Sequence, residues 1–209
     1  MGKKNRDETM QKLIDAVGEI LKEKGYAGLG MNRIALRAGV SKELIYRYYE
    51  GVNNLVKIYI HSKDYWLPLF DKIQLHPSSG KDEVLDLFTT LFQEQFKFFY
   101  QEPEMQKFIL WQISEVNPLM RSISEKREME GAKLLALTEE HFRDSGINFK
   151  VVSALLLGGI YYVVLHASAN KSTVAGIDAN LERDRNEILK TIEQILVWAW
   201  QAAAHKKSQ

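Results

Sequence analysis

Apolar residues recur along most of this chain at intervals of three and four, the spacing that gathers them on one face of a helix. Leu13, Ile14, Val17, Ile20 and Leu21 trace such a stripe between Asp7 and Lys24, and Gly25 follows where the helix should stop. Asp7 and Glu8 at the start and Lys22 and Lys24 at the end suit the helix dipole. Two shorter patterns follow between Met31 and Tyr49. The first turns Ile34, Ala35 and Ala38 inward, and the second Leu44, Ile45 and Tyr48. Gly39-Val40-Ser41 joins them with a glycine able to take positive φ, an apolar plug and a hydroxyl suited to capping the next helix. Two short helices around a glycine-containing turn make a helix-turn-helix pattern.

Gly51-Val52-Asn53 interrupts the pattern. A longer helix is expected from Asn54 to Leu67, with Leu55, Ile58, Tyr59, Ser62 and Trp66 in register and Pro68 as its limit. His76 to Gly80, HPSSG, reads as a loop. Lys81 to Glu102 lines up Leu85, Phe88, Phe92, Phe96 and Phe99, and Pro103 ends it; Met105 to Glu115 forms a further piece with Phe108, Ile109, Trp111 and Gln112. After Asn117-Pro118 a helix is expected from Leu119 to Arg143, its charged middle a solvated face, with Gly146 beyond it. Val151 to Ala169 carries no charge and contains Gly158-Gly159. At about 19 residues it is marginal for spanning a bilayer and lacks flanking anchors, so it is expected to be a buried helix packed through its glycines. Leu181 to Ala204 aligns Ile188, Ile192, Ile195 and Ala199, widened by Leu189, Leu196 and Trp200. Two neighbouring helices this apolar imply a subunit interface.

Strict alternation of apolar and polar residues is missing, and glycine (13) and proline (4) are few among 209 residues, so the fold class is all-α. Apolar residues at 45% supply a core. The absence of cysteine removes disulfides and thiolate metal sites and is compatible with a reducing compartment. The polar start MGKKNRDETMQ lacks the apolar core of a signal peptide, and Arg6 breaks the myristoylation pattern after Gly2. A cytoplasmic protein is expected. Charge is uneven: residues 1–60 hold 11 Lys and Arg against 7 Asp and Glu, a net +4, whereas residues 61–209 are net −3. A positive head on a mildly acidic body suits one end for phosphates. Lys3, Lys4 and Arg6 form a basic tail of the kind that reaches a minor groove.

Projected at about 100° per residue, the second helix of the pair turns Lys42, Glu43 and Tyr46 away from its apolar side, with Arg47 at the flank. Cation, phenol and carboxylate thus face outward near the helix N-terminus, where a recognition helix meets base edges. The segment GVSKELIYRYYEGVNNLV, preceded by an IAxxAG pattern at Ile34, Ala35, Ala38 and Gly39, resembles the helix-turn-helix of TetR-type transcriptional regulators. Gly39, Val40, Ser41, Lys42, Tyr46 and Leu55 match the family's pattern, and the motif covers about a quarter of the chain. Glu43, Tyr48 and Tyr49 depart from it. So do Val52, where a phosphate-binding lysine is usual, and Gly30, where a capping Thr or Ser is usual; Arg33, Arg37, Arg47 and Lys57 are the cations able to compensate.

The resemblance implies a three-helix DNA-binding domain over residues 1–52 and a helical ligand-binding and dimerisation domain over 53–209. It also implies pairing through the two C-terminal helices. The DNA-binding candidates are Ser41 and Lys42 at the helix start, Glu43, Tyr46 toward a phosphate, and Arg47 and Tyr48 on the flanks. The ligand candidates are Trp66, Phe92, Gln95, Phe96, Trp111, Gln112 and Tyr162, with Glu115 as a further polar contact. Their aromatic character points to an apolar or amphipathic small molecule. No HExxH or HxxxH pattern and no phosphate loop occurs, so no catalytic residue, metal or cofactor is expected. The expected function is a ligand-responsive regulator, a repressor binding a palindromic operator as a dimer. The alternative is a helical small-molecule carrier or adaptor that has lost specific DNA binding, for which Val52 and Gly30 speak.

Overall fold

The computed structural model describes residues 3–66 and 80–206. Every regular element in them is helical apart from a lone β-bridge between Val174 and Ile177. The chain divides into two compact units, one of Met1–Leu67 with Lys107–Glu125, the other of Pro68–Gln106 with Lys126–Gln209.

In the first unit α1 (Lys3–Lys24) begins ahead of Asp7. The basic tail is therefore the helix's first turn, and no acidic side chain sits there to meet the dipole. Its buried stripe is Leu13, Ala16, Val17, Ile20 and Leu21; Ile14 lies at the edge, half-exposed. A 3-10 turn (Tyr26–Gly28) leads into α2 (Met31–Ala38), and α3 (Glu43–Tyr49) follows the turn at Gly39. Then comes α4 (Val52–Ser62), shorter than its expected end at Leu67. Beyond Lys63 the Asp64 carboxylate accepts the Trp66 N–H at 2.9 Å, a side-chain turn that competes with helix. The HPSSG loop at residues 76–80 lies outside the described residues except for Gly80.

Helix α6 (Pro103–Ser114) and helix α7 (Pro118–Ala136) each cross the boundary between the units, and their parts within Lys107–Glu125 complete the first core. Phe108 meets Tyr59 edge-on at 6.1 Å, and Met120 and Ile123 are fully buried.

The second unit is built on α5 (Lys81–Gln101), α8 (Glu139–Phe142), α9 (Phe149–Asn170) and α10 (Glu182–Lys206). The helix expected from Leu119 to Arg143 is thus two, broken at Leu137 and Thr138; the Thr138 hydroxyl donates to the Leu135 carbonyl at 2.7 Å. Phe88, Phe142, Phe149 and Trp200 form one aromatic cluster with ring centroids 4.6–5.2 Å apart, and this cluster joins all four helices. Such edge-to-face and offset pairs add specificity to their burial. Gln93 donates to the Leu189 carbonyl at 3.1 Å, binding α5 to α10.

α9 departs from expectation. Ile160, Val164, Leu165 and Ala167 are buried, but Val151, Leu155, Gly158, Gly159 and Tyr162 are exposed on its other side. It is the one described helix long and apolar enough to cross a membrane by length and composition.

Candidate nucleic-acid interface

The turn between α2 and α3 is set by Gly39, which takes φ 66° and ψ 33°. In this left-handed conformation its N–H reaches the Leu36 carbonyl (3.2 Å) and the Val40 N–H reaches Ala35 (3.0 Å), closing the end of α2. A β-carbon would strain that backbone. On the far side the Leu44 N–H bonds the Ser41 carbonyl and the Ile45 N–H the Lys42 carbonyl, each at 3.1 Å. The Ser41 hydroxyl does not cap the helix as the sequence suggests. It donates instead to the Glu43 carboxylate, and this bond, with one from the Glu43 backbone, holds that carboxyl below its ordinary range.

α3 is anchored by Ile45 and Tyr49, both buried. The Tyr49 hydroxyl donates to the Met10 carbonyl of α1 at 2.8 Å, and burial pushes its pKa up to about 12. Leu44 and Tyr48, expected on the same side, are half-buried, so Ile45 and Tyr49 carry most of the inward face. The Arg6 guanidinium of α1 lies 5.6 Å from the Tyr48 ring centre, a cation–π contact that sequence reasoning missed. It places a basic residue of the first turn beside α3.

Ser41, Lys42, Glu43, Tyr46 and Arg47 all point to solvent, and Tyr46 keeps 57% of its surface exposed. Five of the six DNA candidates therefore share one open face, with Tyr48 at its edge. The Tyr46 ring passes 3.9 Å from where a Gly51 β-carbon would sit; Gly51, at φ 135°, occupies backbone that side chains avoid.

The compensating cations divide. Arg37 is not available to a phosphate: it makes a two-bond fork on Glu23 (2.7 and 2.8 Å) and a third bond to Glu19 at 3.1 Å. These bonds raise its pKa further above the ordinary arginine value and hold Glu23 below the carboxylate range. Arg37 is a brace between α1 and α2. Arg33 donates to the Ala27 carbonyl at 3.2 Å. Gly30 precedes α2 in extended backbone without a side-chain cap, as its identity requires.

The ligand candidates divide as well. Phe92, Gln95 and Phe96 are buried together on α5 in the second unit. There the Gln95 side chain donates to the Tyr161 hydroxyl at 3.3 Å, while its carbonyl oxygen is buried with no donor among the described residues. Tyr161, which stacks at a tilt on Phe99 (4.6 Å), is the residue sequence reasoning missed; its neighbour Tyr162 is 59% exposed on the outer face of α9 and does not join that core. Trp66, Trp111 and Gln112 belong to the first unit, where Gln112 donates to the Ser124 hydroxyl at 3.1 Å. Glu115 is exposed. Among the described residues no group of three or more His, Asp or Glu is placed to hold a metal.

The family model of bacterial regulatory proteins, tetR family, matches residues 13–57. No curated protein sequence matches the chain. Among solved structures, the fatty acid degradation regulator FadR from Bacillus halodurans superposes with a TM-score of 0.62 at 18% identity, covering 94% of this chain and 95% of that one. FadR from Bacillus subtilis, in complex with stearoyl-CoA, gives a TM-score of 0.58 at 15% identity, over 90% of this chain and 97% of that one. NalD from Pseudomonas aeruginosa, secondary repressor of the MexAB-OprM multidrug efflux pump, gives 0.61 at 17%, over 92% and 97%. Residues 13–57 are a TetR-family helix-turn-helix, and the chain has the fold of TetR-family transcriptional regulators.

Proposed function

We propose that this chain is a ligand-responsive transcriptional repressor that binds a palindromic operator as a homodimer and is released by a small apolar or amphipathic effector. The observation that carries the reading is the open face of α3, where Lys42, Glu43, Tyr46 and Arg47 stand exposed over a buried Ile45–Tyr49 anchor. A short helix held so rigidly and presenting donors outward suits a major groove, with Lys42 and Tyr46 toward phosphate or base edge. A dimer then places two such helices about 34–36 Å apart on one side of the duplex. The exposed apolar side of α9 supports the dimer, since Val151, Leu155 and Tyr162 leave hydrocarbon uncovered on a single chain. The effector is assigned to the second unit, its apolar part against Phe92 and Phe96 and a hydrogen-bond donor on the Gln95 carbonyl oxygen, which has none among the described residues. The apolar part of that description is in keeping with the stearoyl-CoA held by the Bacillus subtilis neighbour.

The reading is tested by selecting duplexes from a random pool at low salt with the full chain. Recovery of an inverted repeat supports it; recovery of no duplex at all sinks it. The alternative, a small-molecule carrier or adaptor without specific DNA binding, gains from Arg37 being paired with Glu19 and Glu23, which engages one of the four compensating cations. A carrier would leave nonspecific DNA unretarded in the same low-salt buffer.

A further inference from the structure

A cleft of about 330 Å³ lies within the first unit, formed by the end of α1, the turn at Tyr26 and the middle of α6. Leu21, Tyr26, Phe108, Leu110 and Trp111 give it apolar walls, and Tyr26 and Leu110 each keep more than a third of their surface exposed. The Tyr26 and Trp111 rings stack with centroids 3.5 Å apart. The rim is charged differently. Lys22 and Lys107 stand on it, and the carboxylate there, Glu23, already has its charge met by the Arg37 fork.

The C-terminal carbonyls of α1 would by themselves repel an anion. Lys107 offsets them: its ammonium donates to the Lys22 carbonyl at 2.8 Å, and an ammonium has two further donors. Trp111, which lines the cleft, has an indole N–H that is buried with no acceptor among the described residues. Buried donors are rarely left so. Tyr26, which keeps more than a third of its surface exposed, stacks on that indole.

We propose that this cleft binds a small amphipathic carboxylate, an aromatic or short acyl acid, with its hydrocarbon on Tyr26, Phe108 and Leu110 and its carboxylate on Lys107. Ligand sites run upward from about 300 Å³, so this one holds a one- or two-ring acid and not a long acyl chain. None of Phe92, Gln95 and Phe96 lines it, so the site is separate from the effector position assigned above. It stands whether or not the chain reads DNA.

The test is isothermal titration calorimetry of the full chain, without DNA, using naphthoate and the uncharged naphthylmethanol as probes. Naphthoate should bind with a dissociation constant below about 1 mM and at least ~5-fold more tightly than the alcohol. Lys107→Gln should weaken naphthoate by ~5-fold or more and the alcohol by less, and Lys107→Arg should restore naphthoate binding. Leu110→Glu, at an exposed position, should weaken naphthoate still further by setting a carboxylate against it. Unchanged melting of each variant without probe shows that the fold is intact. The proposal is overturned by no binding to about 1 mM, by equal affinity for acid and alcohol, or by naphthoate binding indifferent to both Lys107→Gln and Leu110→Glu.

Discussion

The Tyr59 ring fills the space beside Gly18: a β-carbon there would stand 2.5 Å from the Tyr59 hydroxyl oxygen and 2.9 Å from the ring. Two effects of a Gly18→Ala change oppose each other. Alanine in a helix interior is worth about 1 kcal/mol over glycine, but forcing a methyl group into a filled space costs about 1–3 kcal/mol. Tyr59 is buried, with little room to yield, so the second should win. Gly18→Ala should lower the midpoint of thermal unfolding by several degrees, and adding Tyr59→Phe, which removes the nearest atom, should return part of the loss. A Gly18→Ala protein as stable as the parent would show that α1 and α4 are not packed this closely.

Arg37 gives a prediction with a pH sign. Its fork holds the Glu23 carboxyl below the ordinary 4.5, so folding gains from the charged form. That gain is fully present above pH 4.5 and is lost as the pH falls through the lower folded value. Arg37→Gln should therefore melt below the parent at pH 6, with the gap narrowing as the pH falls below 4.5. Thermal unfolding of both proteins across that range is the measurement, and a gap that widens on acidification would exclude the pair as its source.

The same residue separates bracing from contact. Neutralising a cation that touches phosphate lowers the salt dependence of DNA binding by about one unit of slope. Lys42→Ala and Arg47→Gln should do this, since both side chains are exposed on α3, whereas Arg37→Gln should leave the slope alone. Tyr46→Phe removes one hydroxyl donor and no charge, so affinity should drop by about 5-fold at an unchanged slope. Fluorescence anisotropy on the selected duplex at several salt concentrations reads all four, and an Arg37→Gln slope reduced like that of Lys42→Ala would move Arg37 into the interface.

What the sequence discloses and what it withholds divide along physical lines. The turn at Gly39 is readable because its chemistry is local: a left-handed residue needs glycine, and the apolar spacing on either side reports helix. The outward row on α3 follows from projection alone. The Arg37 brace is not readable, because its partners Glu19 and Glu23 lie a helix away in the sequence and any exposed arginine looks like a phosphate contact. For the same reason Trp66, Trp111 and Gln112 look like companions of Phe92 and Phe96, although the chain puts them in the other unit. Gly18 offers a clue in retrospect, a helix-weakening residue beside the buried stripe of an otherwise strong helix. Burial itself is the least readable property: the uncharged run of α9 is equally consistent with a core helix and with a helix that covers one side and exposes the other.

Tyr49 supplies an alkaline counterpart to Glu23. Its hydroxyl is buried against the Met10 carbonyl, and its pKa, pushed up to about 12, exceeds that of an exposed tyrosine at 10.0. The folded state binds this proton more tightly than the unfolded chain does, so the contribution is whole below pH 10 and disappears as the pH rises toward 12. Unfolding of the parent should become easier across that interval, and Tyr49→Phe, which has no proton to lose, should flatten this part of the profile while losing about 1 kcal/mol for the hydrogen bond at neutral pH. A Tyr49→Phe profile as steep as the parent's would assign the alkaline loss to another group.

The two glycines of α9 bear on the proposed pairing. Each costs an isolated helix about 1 kcal/mol relative to alanine. Among the described residues neither is needed: a β-carbon at Gly158 or Gly159 meets nothing within 4 Å, and neither has positive φ. Beside them Leu155 is 72% exposed and Tyr162 59%. A helix that gives up stability to keep a smooth, apolar, uncovered side is shaped for another helix to approach closely, and a second copy of the same face satisfies that. Gly159→Leu should then raise or preserve the melting temperature of the dilute monomer while weakening the dimer, and Leu155→Glu should weaken it further by burying a charge. Sedimentation equilibrium over a range of protein concentrations measures both, and the duplex-binding assay should show each variant losing occupancy of the full repeat more than of a half-site. A dimer constant unchanged by Gly159→Leu and Leu155→Glu would remove α9 from the interface.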